Sequence, residues 1–392
     1  MSKLQIVLSR MRARGGAAAI LLSAALLFSA DAGAQENVVR IGVVGPLTGD
    51  LAYGGQSQLR GAQLAAAEYN ASQKNFKIEV IGEDDESKCD RAVAATRKLI
   101  ARDKVVAILG NWFSTCSLAM VPITAQAKVP QYTVGIASPI TQQGSEWIFR
   151  MALKTAVLND AVIDHVVGKI GMRRIAILSS NEEVGKSLVD TTEKALKRHG
   201  LTPIAKEEFG RGDKDFSGQL GRIRALNPEG VIMGTGFQEM AIIARQFREL
   251  NVPGRLLGGD PIAGSARFLQ LSGKHVEGLI FATPFIPVVD NPRIGAFVKA
   301  HQQQFSGDVP ENWAAQMYDA VGMIAEAIKA NGNKADPTQI RDFTKSFVSA
   351  DKSYRGLIGN LYFDKFGDGS WQPIIGEVES AVPPKWKILG GL

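Results

Sequence analysis

The stretch from Val105 to Pro139, VVAILGNWFSTCSLAMVPITAQAKVPQYTVGIASP, limits the fold more than any other part of the chain. It opens on a short apolar run, Val105 to Leu109, with the length and β-branched content of a buried strand, and it breaks at Gly110. The hydroxyl pair Ser114-Thr115 then suits the N-cap of a helix. The apolar positions of that helix, Leu118, Val121 and Ile123 to Ala125, recur near helical spacing until Pro130 opens a second apolar run. In open α/β sheets the turn after a strand's carboxyl end carries ligand groups, and free N–H donors at the helix start favour an anion. This turn therefore has two readings, a carboxylate subsite or a plain helix cap.

The same alternation runs through most of the chain. Val38 to Val44 reads as a strand, the loop Gly45 to Gly49 follows, and a helix begins near Gly55 with Leu59, Ala62, Ala66 and Tyr69 on one face. Phe76 to Ile81 is a second strand, and Asp90 to Arg102 a helix that leads back to Val105, so the order is βαβαβ, the pattern of a parallel sheet. A second series begins at Arg174, with strands at 174–178, 203–209, 230–233, 255–257 and 279–282 and helices at 184–198, 216–226 and 240–250. Trp147 to Asn159 carries no strong turn signal and reads as a crossing between two units. From Pro292 the pattern is helical at 294–305, 314–330 and 337–347, then β-like at 359–363 and 374–378. These last pieces are too short for a domain of their own, so they are expected to complete the earlier two.

A length of 392 residues, 45% hydrophobic and 21% charged, is ample for two compact domains. The first residues follow a secretory plan: Lys3, Arg10, Arg12 and Arg14 precede an apolar run from Ala17 to Ala30, and Ala32-Gly33-Ala34 offers a cleavage site, so the mature chain is expected to begin at Gln35. That run is short for a membrane span, and no later segment nears eighteen uninterrupted apolar residues. With no Cys at the cleavage site and no twinned arginines, the expected destination is a bacterial periplasm. The formal charge of +6 includes four basic residues and one acidic residue of the leader, leaving +3, too little to imply nucleic acid. Cys89 and Cys116 are the only cysteines, and export puts them where an even pair is expected to bridge; two buried free thiols remain the alternative.

Motifs that would carry chemistry fail on inspection. Ser180 to Ser187 follows a strand and opens a helix as a phosphate loop would, but Ser180 stands where the first glycine belongs, and Glu182 and Glu183 would repel a polyphosphate. Gly234-Thr235-Gly236 starts a dinucleotide fingerprint that Glu239 interrupts. His165, His199, His275 and His301 have no metal-ligand spacing, and no nucleophile elbow is present. Glu83 to Glu86 lacks the spacing of a calcium loop and reads as a solvated loop. Neither an enzyme, a metal nor a cofactor is expected.

Several short pieces, in order along nearly all of the mature chain, carry a family resemblance. Val43 to Gly49 with Gly61-Ala62, Asp84-Asp85, Gly110 with Ser114, Val129-Pro130-Gln131, Tyr318-Asp319-Ala320, and Phe363-Asp364 with Gly367-Asp368 resemble the branched-chain amino-acid-binding family of periplasmic solute-binding proteins. The resemblance implies the periplasmic binding protein type I fold, with two Rossmann-like lobes joined by three hinge strands. The expected N-terminal lobe is 37–154 with 285–362, and the expected C-terminal lobe is 155–284 with 363–392. It also implies a monomer that binds a small molecule in the interlobe cleft and delivers it to an inner-membrane ABC permease.

By the same resemblance, Ser114 and the groups at Thr115, Gly135 and Ala137 meet a ligand carboxylate, and Asp260 meets an ammonium group. This chain departs from amino-acid binders at Ala137, where Thr is usual, and at Val184, where an aromatic is usual. Trp112, Phe113, Tyr53 and Phe237 are candidate walls for an apolar ligand body. The expected ligand is a small carboxylate-bearing solute, first an aliphatic or aromatic amino acid. The alternatives are an aromatic carboxylate or small amide, a sensory subunit of the same fold, and, in another class, a secreted hydrolase.

Overall fold

The computed structural model describes residues 37–234, 236–287 and 291–391, without the side chain of Phe237; the leader and its cleavage site lie outside the described residues. The first sheet holds β1 (Val38–Gly45), β2 (Lys77–Asp84), β3 (Ala107–Leu109), β4 (Gln131–Thr133) and β5 (Ile148–Arg150). All are parallel, in the order β2-β1-β3-β4-β5. The parallel core of the second sheet is β6 (Ile175–Ser180), β7 (Ala205–Phe209), β8 (Gly230–Gly234), β9 (Arg255–Gly258) and β10 (Ile280–Thr283). A small sheet of β11 (Tyr354–Gly356), β12 (Gly359–Phe363) and β13 (Gly369–Ser370) follows. Antiparallel β14 (Ile374–Ala381) and β15 (Pro384–Gly390) then extend the second sheet to the order β15-β14-β10-β9-β8-β6-β7.

The connections α1 (Ala52–Ser72), α2 (Cys89–Ala101) and α3 (Ser114–Ala127) serve the first sheet. The second sheet is served by α4 (Thr155–Ile163), α5 (Glu183–Arg198), α6 (Ser217–Ala225), α7 (Phe237–Glu249) and α8 (Ala266–Ser272). The chain then returns to the first lobe with α9 (Pro292–Gln304), α10 (Asn312–Ala330) and α11 (Pro337–Lys345). Helix starts follow local chemistry: Asn291 Oδ1 accepts the N–H of Arg293 and of Ile294, and Asp336 Oδ1 that of Gln339, each ahead of a proline at the first helical position. Among the described residues no helix is long and apolar enough to cross a membrane.

Parallel strands covered by helices on both faces must be apolar on both faces. Ile41, Val43 and Val44 of β1, and Val231, Ile232 and Met233 of β8, are buried without exposed surface. Close packing of the returning helix rests on one glycine. A Cβ at Gly61 of α1 would stand 2.0 Å from the Ala314 carbonyl oxygen of α10, so only glycine lets the two helices cross there.

The stretch 147–159 does cross between lobes, but it also contributes β5 to one sheet and the start of α4 to the other. A three-residue strand is too short to leave a period-two pattern. The tail is longer than expected, because β15 closes a hairpin on β14. The limit expected at residue 362 falls inside β12, which pairs with β13, so the third crossing comes after Ser370.

The crossings are held by a buried ion pair. Arg150 at the end of β5 is fully buried; its Nε donates to Asp368 Oδ1 at 2.7 Å, its Nη2 to the Ala137 carbonyl at 2.9 Å, and its Nη1 to the Gly135 carbonyl. Lys154 adds a contact to Asp368 at 3.1 Å. Burial pushes the Asp368 carboxyl up, but the charge and hydrogen bonds of Arg150, with Lys154, outweigh it and hold the group below its ordinary range.

Cys89, the first residue of α2, and Cys116, in the first turn of α3, form a disulfide with Cα atoms 4.6 Å apart. The pair closes 27 residues of sequence, a constraint on the unfolded chain worth roughly 3–4 kcal/mol in the chain-entropy estimate. Reduction, or the Cys89→Ser/Cys116→Ser double substitution, is expected to lower unfolding free energy by about that amount in urea titrations. A loss under about 1 kcal/mol would show that the bridge contributes little.

Candidate functional site

A cavity lies between the two sheets, where the carboxyl ends of their strands face each other. The first lobe contributes Ser114 after β3, Val134 and Ile136 after β4, and Trp112, Phe113 and Trp313. The second contributes Ser180 and Phe209 at the ends of β6 and β7, with Gly236 after β8 and Asp260 after β9. This is where side chains projecting from strand ends converge in a parallel sheet, and ligand crevices form there. The cavity is partly open, and the space within it not filled by atoms, about 680 Å³, includes solvent at its mouth.

Ser114 opens α3 but does not cap it. The N-cap residue is Phe113, whose N–H donates to Asn111 Oδ1 at 2.9 Å. Asn111 is in turn fixed by its amide donating to buried Asp85, whose Oδ1 also accepts the Ser87 N–H. The acidic loop expected to be solvated is therefore partly structural: Glu83 pairs with Lys98, Asp84 accepts the Leu47 N–H at 2.8 Å, and Asp85 braces the turn that carries Ser114. Burial raises the Asp85 carboxyl, with the hydrogen bonds from Asn111 and Ser87 opposing.

The Ser114 Oγ accepts N–H bonds from Ile136 at 3.2 Å and Ala137 at 3.3 Å. A hydroxyl that accepts twice still has its own hydrogen to donate, so Ser114 presents a single oriented donor at the cavity wall. The backbone donors expected at Gly135 and Ala137 are engaged elsewhere. The Gly135 N–H donates to Thr133 Oγ1 and the Ala137 N–H to Ser114, and neither residue lines the cavity. Ala137, with Ile136, orients Ser114. Thr115 is exposed and also lies outside the lining.

The aromatic wall is a ladder. Trp112 meets Phe113 edge-on at 4.8 Å and Trp313 at 5.4 Å, and Tyr53 meets Trp313 at 6.0 Å. Tyr53 backs the wall without lining the cavity. A Cβ at Gly54 would lie 2.2 Å from the Trp112 indole, so this ring lies flat on α1 only because position 54 is glycine. The side chain of Phe237 lies outside the described residues.

On the opposite wall Asp260 is buried and lines the cavity, and it is not a solvent-facing turn residue. Its Oδ1 accepts the Ile262 N–H at 2.9 Å, and burial pushes its carboxyl up to about 6. Val184 lines the same wall. Three charged residues that sequence reasoning did not place at the site join it. Glu182 pairs with Arg211 at 2.6 Å, and buried Glu239 accepts the Gly212 N–H at 2.7 Å. The two acids had counted only as obstacles to nucleotide binding, although each follows the end of a predicted strand. Trp313 had no local signal at all. A further contact ties the lobes: Glu311, preceding α10, accepts the Arg267 N–H of α8 at 3.2 Å, and burial raises its carboxyl to about 7.

A family model described as "Periplasmic binding protein" matches residues 38–369. An amino acid binding protein of Pseudomonas aeruginosa is 27% identical over 367 residues, covering 92% of this chain and 94% of that protein. The crystal structure of a leucine binding protein from Thermotoga maritima superposes with a TM-score of 0.79 at 24% identity, covering 90% of this chain and 98% of that one. A solute binding protein of an ABC transporter from Rhodopseudomonas palustris, in complex with 3,4-dihydroxybenzoic acid, gives 0.81 at 23% identity over 91% of this chain and 97% of that one.

The buried carboxylates predict the pH dependence of stability. Asp260 ionises near 6 when folded against an ordinary 3.8, and Glu311 near 7 against 4.5, so folding takes up protons. The stability they contribute is full below pH 4 and is lost as pH rises through 6 to 7. Ligand-free Asp260→Asn is therefore expected to be more stable than the parent by roughly 1–3 kcal/mol at pH 8, with the gain vanishing towards pH 4. Urea unfolding at several pH values measures this, and an equally stable or weaker variant at pH 8 would contradict it.

Proposed function

The chain belongs to the periplasmic binding protein family, and from that premise we propose that it is the substrate-binding component of an ABC uptake transporter. It takes a small carboxylate-bearing solute in the periplasm and presents it to an inner-membrane permease. The observation that carries the reading is the interlobe cavity with the Ser114 hydroxyl donor on one wall and the buried Asp260 carboxylate on the other. An amino acid answers both: its carboxylate accepts from Ser114, and its ammonium supplies the partner that a desolvated Asp260 lacks. The apolar body then lies against Trp112, Phe113 and Trp313.

We read the lobes as 37–154 with 285–370 and 155–284 with 371–391, a division that the pairing of β12 with β13 supports. Closing them on a ligand is a hinge motion driven by the ligand's greater affinity for the closed form. The protein acts as a monomer and leaves its solute chemically unchanged. Export by the N-terminal leader, with cleavage after Ala34, puts it in the periplasm.

A second reading, an aromatic carboxylate as ligand, is favoured by the aromatic ladder and by the dihydroxybenzoate bound in the Rhodopseudomonas structure. In that case Asp260 binds in its protonated form. A thermal-shift screen of amino acids, aromatic acids and small amides separates the two, because a ligand at 100 times its Kd adds about 2.7 kcal/mol of stability. The expected outcome is a shift with aliphatic or aromatic amino acids that Asp260→Asn abolishes. Shifts with benzoates alone, kept in Asp260→Asn, would establish the second reading. Recovery of a converted solute after denaturation would make the protein an enzyme.

A further inference from the structure

Arg211 is the one basic residue among the described residues lining the cavity, and its guanidinium carbon stands 4.4 Å from the centre of the Phe113 ring. The two residues belong to opposite lobes: Phe113 caps α3 beside the first sheet, and Arg211 follows β7 of the second. The direction of Arg211 is set by its own lobe. The Gly210 N–H donates to Asp213 and the Gly212 N–H to Glu239, each at 2.7 Å, which pins the turn on both sides of Arg211. Glu182 Oε1 then holds Nη2 at 2.6 Å, fixing the guanidinium over the ring.

We infer that Arg211 is a closure-coupled gate: its guanidinium, braced by Glu182, seats on Phe113 only when the two lobes meet, and so governs how long a bound solute stays. The inference rests on the reading of the cavity as a solute site. A cation over an aromatic face is attracted by the ring quadrupole, more strongly as water is excluded. Ordering two side chains of one lobe before closure lowers the entropy lost when the contact forms. Because the contact joins the lobes only after they have closed, it slows opening and leaves encounter with the open form nearly untouched. Both partners line the cavity, so the contact lies against the solute.

The test uses stopped-flow tryptophan fluorescence, with Trp112 and Trp313 as reporters in the cavity wall and L-leucine, L-phenylalanine and 4-hydroxybenzoate as probes. Arg211→Gln and Phe113→Leu are each expected to speed dissociation roughly 2- to 5-fold, with association moving less. Arg211→Lys retains a charge without the planar stack and restores part of the slow dissociation. The double variant is expected to dissociate no faster than the singles. Dissociation within twofold of the parent in Arg211→Gln, or single effects that multiply in the double variant, would overturn the gate.

If none of the three probes binds the parent protein, the solute reading fails for those classes and the gate is judged without ligand. Spin labels at exposed Lys104 and Arg224, one on each lobe, then report the closed component. That component is expected to fall at least twofold in Arg211→Gln, and identical distance distributions would overturn the gate.

Discussion

The site depends on a cation that never meets the ligand. Arg150 is fully buried, and moving a guanidinium out of water is recovered only through good pairing. Its partners are Asp368 from the tail and the carbonyls of Gly135 and Ala137 from the loop after β4. The Gly135 carbonyl turned towards Arg150 shares its peptide plane with the Ile136 N–H, which is thereby directed to Ser114 Oγ; the Ala137 N–H joins it, its peptide held by the Ile136 carbonyl accepting from Thr155, and the serine hydrogen is left for the cavity. One ion pair therefore fixes a hinge crossing and the orientation of a donor that presents itself on the other side of the same loop. Removing one member leaves an uncompensated buried charge, so this part of the structure has little tolerance for change.

Sequence legibility followed the range over which each interaction acts. The parallel strands were readable because burial on both faces makes them unbroken apolar runs, as in β1 and β8. Ser114 was read from its place in the turn after a strand, and Asp260 from the family resemblance, and both line the cavity. The stretch 147–159 was not fully readable, since β5 exists through pairing with β4 and through the Arg150 contact with Gly367, not through a pattern of its own. Arg211 and Trp313 were invisible for the same reason. Their significance comes from Phe113 and Trp112, roughly a hundred and two hundred residues away in sequence, and nothing local marks them. Ala137 shows the reverse error. Its backbone N–H, expected to meet a ligand carboxylate, donates to Ser114 instead.

The cavity also shows where the chain gives up stability. A core built for stability alone would not hold Asp260 and Glu311, two carboxyls pushed up by burial to about 6 and about 7. Neither has a cation against it; each is met by backbone N–H donors, with the Tyr53 hydroxyl added at Glu311. Such groups cost less when a charged partner arrives or when the lobes part and water returns. Buried acids at the lobe boundary thus couple stability to occupancy and to closure, which an apolar boundary would not do.

The two interlobe contacts therefore have opposite electrostatic character. Glu311 enters the closed form against a desolvation cost and is met by backbone N–H groups of α8, so closure there is resisted by burial of a charge. Arg211 enters already paired with Glu182 and lies on an aromatic face while its side chain stays 39% exposed, so closure there carries little desolvation cost. A closed form held only by contacts like the second would stay closed without solute, and one resisted only by contacts like the first would seldom close. With both present neither character alone fixes the lobes, and only a ligand with differential affinity for the two forms shifts them.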